Sequence, residues 1–224
     1  MNAEIEIRGE RLVLRPDRSL FWPGRRTLVI ADLHFGKEAV FRAAGVPIPG
    51  GPDSTLSRLA SAIEDTHATR LAVLGDFWHA PTGRTEAILG ELDAWRHARP
   101  SLEIELLRGN HDRAGPPPRS WAEGWKPFVH EPPFVFTHHP EPSTLGYVLA
   151  GHLHPGFVLG GRGRERMRLP CFWFAHDVGV LPAFGDFTGS ATVLLQPGTE
   201  VYAITHDSVI AVRRPNASNS NRRG

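Results

Sequence analysis

Five short segments of this chain set carboxylates, imidazoles or an amide directly behind an apolar run. They read ADLH (Asp32, His34), LGDFWH (Gly75, Asp76), RGNHD (Asn110, His111, Asp112), FTHHP (His138, His139) and AGHLHPG (Gly151, His152, His154). Aspartate, histidine and asparagine, with no thiolate among them, make an oxygen and nitrogen donor set for a divalent cation. Manganese, iron or zinc suit such a set, whereas a closed structural zinc site ordinarily uses cysteine. Each segment alone is weak. A D-x-H is commonly a surface or capping pair, a G-D is a common turn, and N-H-D can be a cluster at a helix start. Together and in order, each at the end of a strand-like run, they read as one site.

The runs themselves show which elements must position these residues. Thr27 to His34, Arg70 to Asp76 and Leu102 to Asn110 each read as a buried strand running into a polar tip. Between them, Asp53 would cap a helix carrying Leu56, Leu59, Ala60 and Ile63 at helical spacing. A second helix is predicted over Thr85 to Ala98, with Ile88, Leu92 and Trp95 on one face. Strand and helix in alternation imply a parallel or mixed sheet with right-handed crossovers. Open α/β sheets bind ligands at the carboxyl ends of their strands, so tips far apart in sequence can converge. Residues two apart on a strand share a face. The spacing therefore predicts that Asp32 and His34 hold one ion together, and His152 and His154 likewise. The glycines let the backbone turn sharply beside them.

Beyond Pro116 the helical pattern fades and short strand-like runs follow, which predicts a second, largely antiparallel sheet with a hairpin turning at His206-Asp207. The fold class expected is α/β, a sandwich of two packed mixed β-sheets flanked by helices. Residues 1–213 form one domain in this reading, and residues 214–224 have the composition of a disordered tail.

Bulk properties narrow the partners. With 224 residues, 41% of them hydrophobic, the chain can fill one core. A formal net charge of +1 gives no global pull toward nucleic acid or a membrane surface, so any such contact must be local. No apolar run approaches membrane-spanning length, and MNAEIEIRGERLVLR carries no signal-peptide features. A cytoplasmic protein without a membrane partner is expected. The single Cys171 cannot form an internal disulfide and reads as a small buried hydrophobe. One local concentration of charge stands out. Arg162, Arg164, Arg166 and Arg168 recur every second residue. On a strand they would share one face, either binding substrate along a phosphate backbone or keeping an edge strand soluble.

The ordered set D-x-H, G-D, G-N-H-D, H, G-H-x-H resembles the calcineurin-like metallophosphoesterases. The resemblance implies a two-sheet sandwich holding two divalent ions, manganese first, with iron or zinc as alternatives. It gives Asp32, His34, Asp76 and His154 to the first ion, and Asp76, Asn110, His138 and His152 to the second, with Asp76 bridging. The fourth block could use His138 or His139. His138 is preferred because it comes first off the strand and His139 precedes Pro140. Two such ions, about 3.5–4 Å apart, clamp a phosphate oxygen and bring a bound water to hydroxide near neutral pH, ready for in-line attack on phosphorus. His111, next to Asn110, is the expected acid at the rim, and Asp112 would orient its ring. His79 either lines the pocket or starts a helix in solvent. Lys37 and Arg42 could meet phosphate, although a solvated helix face is the plainer reading.

A closer resemblance covers nearly the whole chain. IADLHFGKEAVFRAAGVPIPGG (Ile30 to Gly51), LPCFWF (Leu169 to Phe174) and VLPAFGDFTGS (Val180 to Ser190) are similar to the ligase-associated DNA damage response endonucleases, a bacterial subgroup of that family. This implies a phosphodiesterase acting on DNA in repair, with a DNA ligase, a helicase and an exonuclease-like protein as associated partners. The runner-up is a hydrolase of a small phosphoester or nucleotide pyrophosphate. A non-catalytic module on the same fold would have lost ligands, and none is missing.

Overall fold

Leu28 and Ile30 face one side of their strand while Val29 and Ala31 face the other, and this alternation divides the molecule into layers. The computed structural model describes residues 1–43, 45, 52–160, 166–186 and 188–213. The first sheet holds β1 (Ala3–Ile7), β2 (Glu10–Leu14), β3 (Leu20–Trp22), β4 (Thr27–Ile30), β5 (Arg70–Val73) and β6 (Glu103–Leu106), neighbours in that order. β1 to β4 meander antiparallel, and β4, β5 and β6 run parallel. The crossovers carry α1 (Lys37–Ala43) and α2 (Pro52–Thr66), then α3 (Glu86–His97).

The three amino-terminal strands escaped the sequence reading. They turn at Arg8 and Gly9, both at positive φ (53° and 81°), between AEIEI and ERLVL, and that alternation was the available signal. α3 forms as predicted: the Thr85 hydroxyl accepts from the Ile88 N–H at 3.3 Å, and Ile88, Leu92 and Trp95 are buried. In α2 the inward face is Leu56, Leu59, Ala62 and Ile63, whereas Ala60 is half-buried. The helix starts at Pro52, a residue suited to a first turn, so Asp53 lies inside it and not at the cap.

The second sheet contains β7 (Val129–Glu131), β8 (Phe134–Phe136), β9 (Tyr147–Ala150), β10 (Pro155–Gly160), β11 (Arg166–Phe174), β12 (Val178–Val180), β13 (Ala191–Thr192), β14 (Glu200–Ile204) and β15 (Val209–Val212). Its order is β13-β10-β11-β12-β9-β8-β7, with β14 on β11 and β15 on β14. The expected hairpin around His206-Asp207 is present as β14–β15. Antiparallel character is less complete than expected, because β8–β9, β9–β12 and β10–β13 pair parallel. Such pairs need a return connection too long for a tight hairpin.

Between the sheets, Val29, Ala31, Ala72 and Leu74 meet Phe134, Phe136, Leu149 and Phe172. On the outer face of the first sheet, Leu28, Ile30, Leu71 and Val73 receive α2 and α3. The helices therefore flank the first sheet. The other face of the second sheet carries a smaller cluster drawn from strands alone: Val135, Val148, Ala150, Val178 and Val180. Among the described residues no helix is long and apolar enough to cross a membrane. Arg162, Arg164 and the tail at 214–224 lie outside the described residues.

Leu149 is fully buried between the sheets, on the strand that delivers His152 and His154. Leu149→Ala should cost about 2–5 kcal/mol of stability in urea unfolding. A cost well under 1 kcal/mol would show that the sheets do not depend on this contact.

Candidate metal centre

β4, β5 and β6 end side by side, and the chain leaves the first two in an unusual conformation. Asp32 (φ 54°), His34 (φ 50°) and Asp76 (φ 49°) are left-handed, as are His152 (φ 71°) and His154 (φ 46°) beyond β9. For a residue with a side chain this costs on the order of 1–2 kcal/mol, and such positions cluster at functional sites. The expected strand alternation is not what brings these pairs together. β4 stops at Ile30 and β9 at Ala150, so both pairs lie past the strand ends and converge through left-handed turns. Backbone bonds extend the pairing: Asp32 N–H donates to the Gly75 carbonyl at 3.2 Å, and His34 N–H to the Asp76 carbonyl at 2.8 Å.

Two glycines are needed for close approach. A methyl at Gly109 would stand 2.2 Å from Asp76 Oδ1 and 2.3 Å from its backbone nitrogen. Gly75 has φ of 86°, and a methyl there would lie 2.4 Å from His138 Nδ1.

Every side chain expected to bind metal falls in one cluster. His34 Nε2 lies 3.3 Å from His154 Nε2 and 3.9 Å from Asp76 Oδ2, and His154 Nε2 is 3.6 Å from Asp32 Oδ2. His138 Nε2 lies 3.0 Å from Asn110 Oδ1, 3.1 Å from His152 Nδ1 and 3.5 Å from Asp76 Oδ2. Its Nδ1 bonds the Leu74 carbonyl at 2.9 Å, so Nε2 presents its lone pair to the cluster. Asp32, His34 and His154 could share one ion, and so could Asp32, Asp76 and His138. His138 is the buried member of the fourth block, while exposed His139 sets its ring 4.4 Å from that of His152.

The electrostatics ask for a cation. Asp32 and Asp76 are 0% and 2% exposed, and among the described residues no lysine or arginine pairs with either. Burial raises the Asp76 carboxyl, against the His111 N–H that donates to it at 2.8 Å. The imidazoles supply little charge. Burial, then repulsion from His154 and Lys37, drives His34 down to about 2, and burial takes His138 and His79 to about 4. Burial also lowers His152. At His154 burial pulls down but Asp32 outweighs it, and the net shift is upward. Two buried carboxylates among mostly neutral imidazoles fit divalent metal, which supplies the missing charge.

One expected role is corrected. Asp112 does not orient the His111 ring: its oxygens accept from Trp78 N–H at 3.0 Å and Gly109 N–H at 2.7 Å. It is a buried brace between two loops, and burial raises it to about 6. The His79 carbonyl holds His111 Nδ1 at 3.0 Å, and the two rings stack at 5.5 Å and 17°. His79 thus lines the pocket, a role legible only in its place three residues after Asp76. Lys37 is half-buried, its ammonium pulled down by burial and close enough to depress His34 and His79. It belongs to the rim and not to a solvated face. The side chain of Arg42 lies outside the described residues. Of the arginine stripe, Arg166 and Arg168 are exposed on β11 and Arg168 reaches the cluster's edge.

The chain matches no protein-family model and no curated protein. Among solved structures it is similar to the Pseudomonas putida nuclease MPE, at 40% identity over 95% of this chain and 100% of that one, with a TM-score of 0.82. The chain belongs to the calcineurin-like metallophosphoesterases. It is a metal-dependent phosphoesterase. A remoter likeness, to the phosphoesterase Yfce of E. coli (15% identity, 83% of this chain, 96% of that one, TM-score 0.42), adds no weight.

In this metallophosphoesterase, Gly109→Ala should displace Asp76 and weaken metal binding on the order of 10–100-fold, as loss of ligand support commonly does. Elemental analysis after dialysis, with circular dichroism as the folding control, reads this. Unchanged metal content would refute the close approach.

Proposed function

We propose that the chain is a dinuclear-metal phosphodiesterase that cleaves DNA, with manganese as the fitting metal and iron or zinc as alternatives. The observation that carries this reading is the buried cluster of carboxylates and imidazoles, in which no lysine or arginine among the described residues pairs with Asp32 or Asp76, on a chain 40% identical to a nuclease. In this reading Asp32, His34, Asp76 and His154 hold one ion, and Asp76, Asn110, His138 and His152 the other. Asp76 suits the bridging role, since Oδ2 lies 3.9 Å from His34 and 3.5 Å from His138. Bound there, the ions would supply Lewis acidity toward a phosphoryl oxygen and acidify a water.

The remaining chemistry falls to the chain's own residues. Hydrolysis adds water across a P–O bond, and the departing oxygen needs a proton. His111 is exposed above the cluster, its Nδ1 engaged by His79, which leaves Nε2 to carry that proton. Its N–H donates to Asp76 at 2.8 Å, so ring position and metal ligand are fixed together. A cytoplasmic place in DNA repair, beside a ligase, a helicase and an exonuclease-like protein, completes the reading through the subgroup resemblance. Buried free Cys171 is compatible with a reducing compartment.

The purified, manganese-loaded protein should cleave a phosphodiester and DNA in preference to a phosphomonoester or a nucleotide pyrophosphate. Efficient pyrophosphate cleavage with DNA untouched would overturn the nuclease reading in favour of a small-substrate hydrolase.

His111→Ala should retain its metal and lose about 10²–10⁴-fold in rate on an alkyl diester, as removal of a general acid does. The loss should be smaller on a nitrophenyl diester, whose leaving group needs no proton. Equal losses on both would remove His111 from the acid role.

A further inference from the structure

A small cavity opens on the far side of His154. Its walls include Arg18, His154, Arg168, Thr188, Gly189 and Ser190, and its volume is about 190 Å³. That is below the range for a drug-sized ligand and suits one compact group. His154 joins it to the metal cluster: Nε2 faces His34 and Asp32, while Nδ1 bonds the Gly189 carbonyl at 3.1 Å. One imidazole separates the two spaces.

The cavity is cationic. Among the described residues no carboxylate lines it. Arg168 is exposed and uses Nη1 on the Ser190 carbonyl at 2.7 Å. Arg18 uses Nη1 on the Gly185 carbonyl at 3.2 Å and reaches Asp186 only at 3.6 Å, because Arg58 holds that carboxylate at 3.1 Å. Two guanidinium groups thus share one carboxylate, and Arg168 adds a further charge. Each arginine offers five donors in a planar fork, a match for phosphate. Room is kept by Gly156, where a methyl would stand 2.5 Å from Ser190 Oγ and 3.5 Å from Arg168 Cγ. Register fixes Arg168 here: it pairs with Val158 on β10, the strand that begins immediately after His154.

The geometry points to a subsite in which Arg18 and Arg168 bind a second phosphate of the substrate, adjacent to the one being cleaved. This rests on the phosphodiesterase reading and deepens it, since the enzyme would then favour a chain of phosphates over an isolated diester. The second phosphate could be a terminal monoester or the next diester of a polymer, and either would fit the same fork.

The test compares four substrates on the manganese-loaded protein. These are a thymidine dinucleotide with its single phosphate, the same molecule phosphorylated at its 5′ end, the same at its 3′ end, and the trinucleotide. A second phosphate on one side should raise kcat/KM on the order of tenfold, the scale of one charge-assisted hydrogen bond. Arg168→Ala should bring that ratio close to one, Arg168→Lys should keep part of it, and Arg168→Glu should reverse it. Arg168 is exposed, and a melting curve for each variant checks folding. A gain from a terminal phosphate that exceeds the trinucleotide's assigns a monoester, equal gains assign a fork that takes either, and a gain from the trinucleotide alone assigns the polymer. Each supports the subsite. No gain in the wild type, or a gain that survives Arg168→Ala, overturns it while leaving the phosphodiesterase reading intact. Failure to cleave any of the four removes that reading and the subsite with it.

Discussion

Two carboxylates, Asp32 and Asp76, are buried at the junction of the sheets, and among the described residues no guanidinium or ammonium pairs with them. Burying one unpaired charge costs several kcal/mol, and two of like sign are worse. The surroundings read as provision for that cost. Backbone N–H groups of His152 and His111 donate to Asp32 and Asp76 at 2.9 Å and 2.8 Å. Imidazole nitrogens supply the remaining neighbours, and full compensation waits for metal. The left-handed turns, the glycines under the side chains and the convergence of strand ends all serve to bring those oxygens within a few ångströms of each other.

The second sheet is as necessary to this arrangement as the first. The carboxylates come from β4 and β5, but His138, His152 and His154 follow β8 and β9. The layers are held in register by the apolar alternation, and a third contact closes the site. The loop after β12 pairs Phe184 N–H with the Ala31 carbonyl at 2.7 Å and Gly185 N–H with the Asp32 carbonyl at 3.1 Å. Arg18 then brackets this loop from outside.

The sequence disclosed the donors more readily than their geometry. Each candidate metal-binding block is a string of a few residues, so its chemistry shows locally, and the parallel strands behind the first three blocks follow from their apolar runs. What could not be read was backbone conformation. D-x-H looks like one face of a strand, yet Asp32 and His34 lie beyond β4 in turns that only tertiary contact can impose. Asp112 looked like a partner for His111 because it is adjacent, but adjacent residues on a turn diverge, and its carboxylate reaches back to Trp78 and Gly109. Arg168 showed in sequence only as one of a row. Its place beside His154 follows from the pairing of β10 with β11, a register that no single strand reveals.

The spread of the donors along the chain also sets an order of events during synthesis. The residues of the first sheet's parallel pairs have all been made by Leu106. Both carboxylates are then present, while the imidazoles of His138, His152 and His154 have still to leave the ribosome. An ion arriving at that moment would find half a cage. Cation capture by the full donor set would therefore come late in assembly, once β9 is docked and His152 can donate to Asp32. Metal held by these residues would then act as a latch on a finished sandwich and not as its nucleus. Its contribution to stability then follows free metal concentration by mass action, with the speed of folding left to the apolar layers.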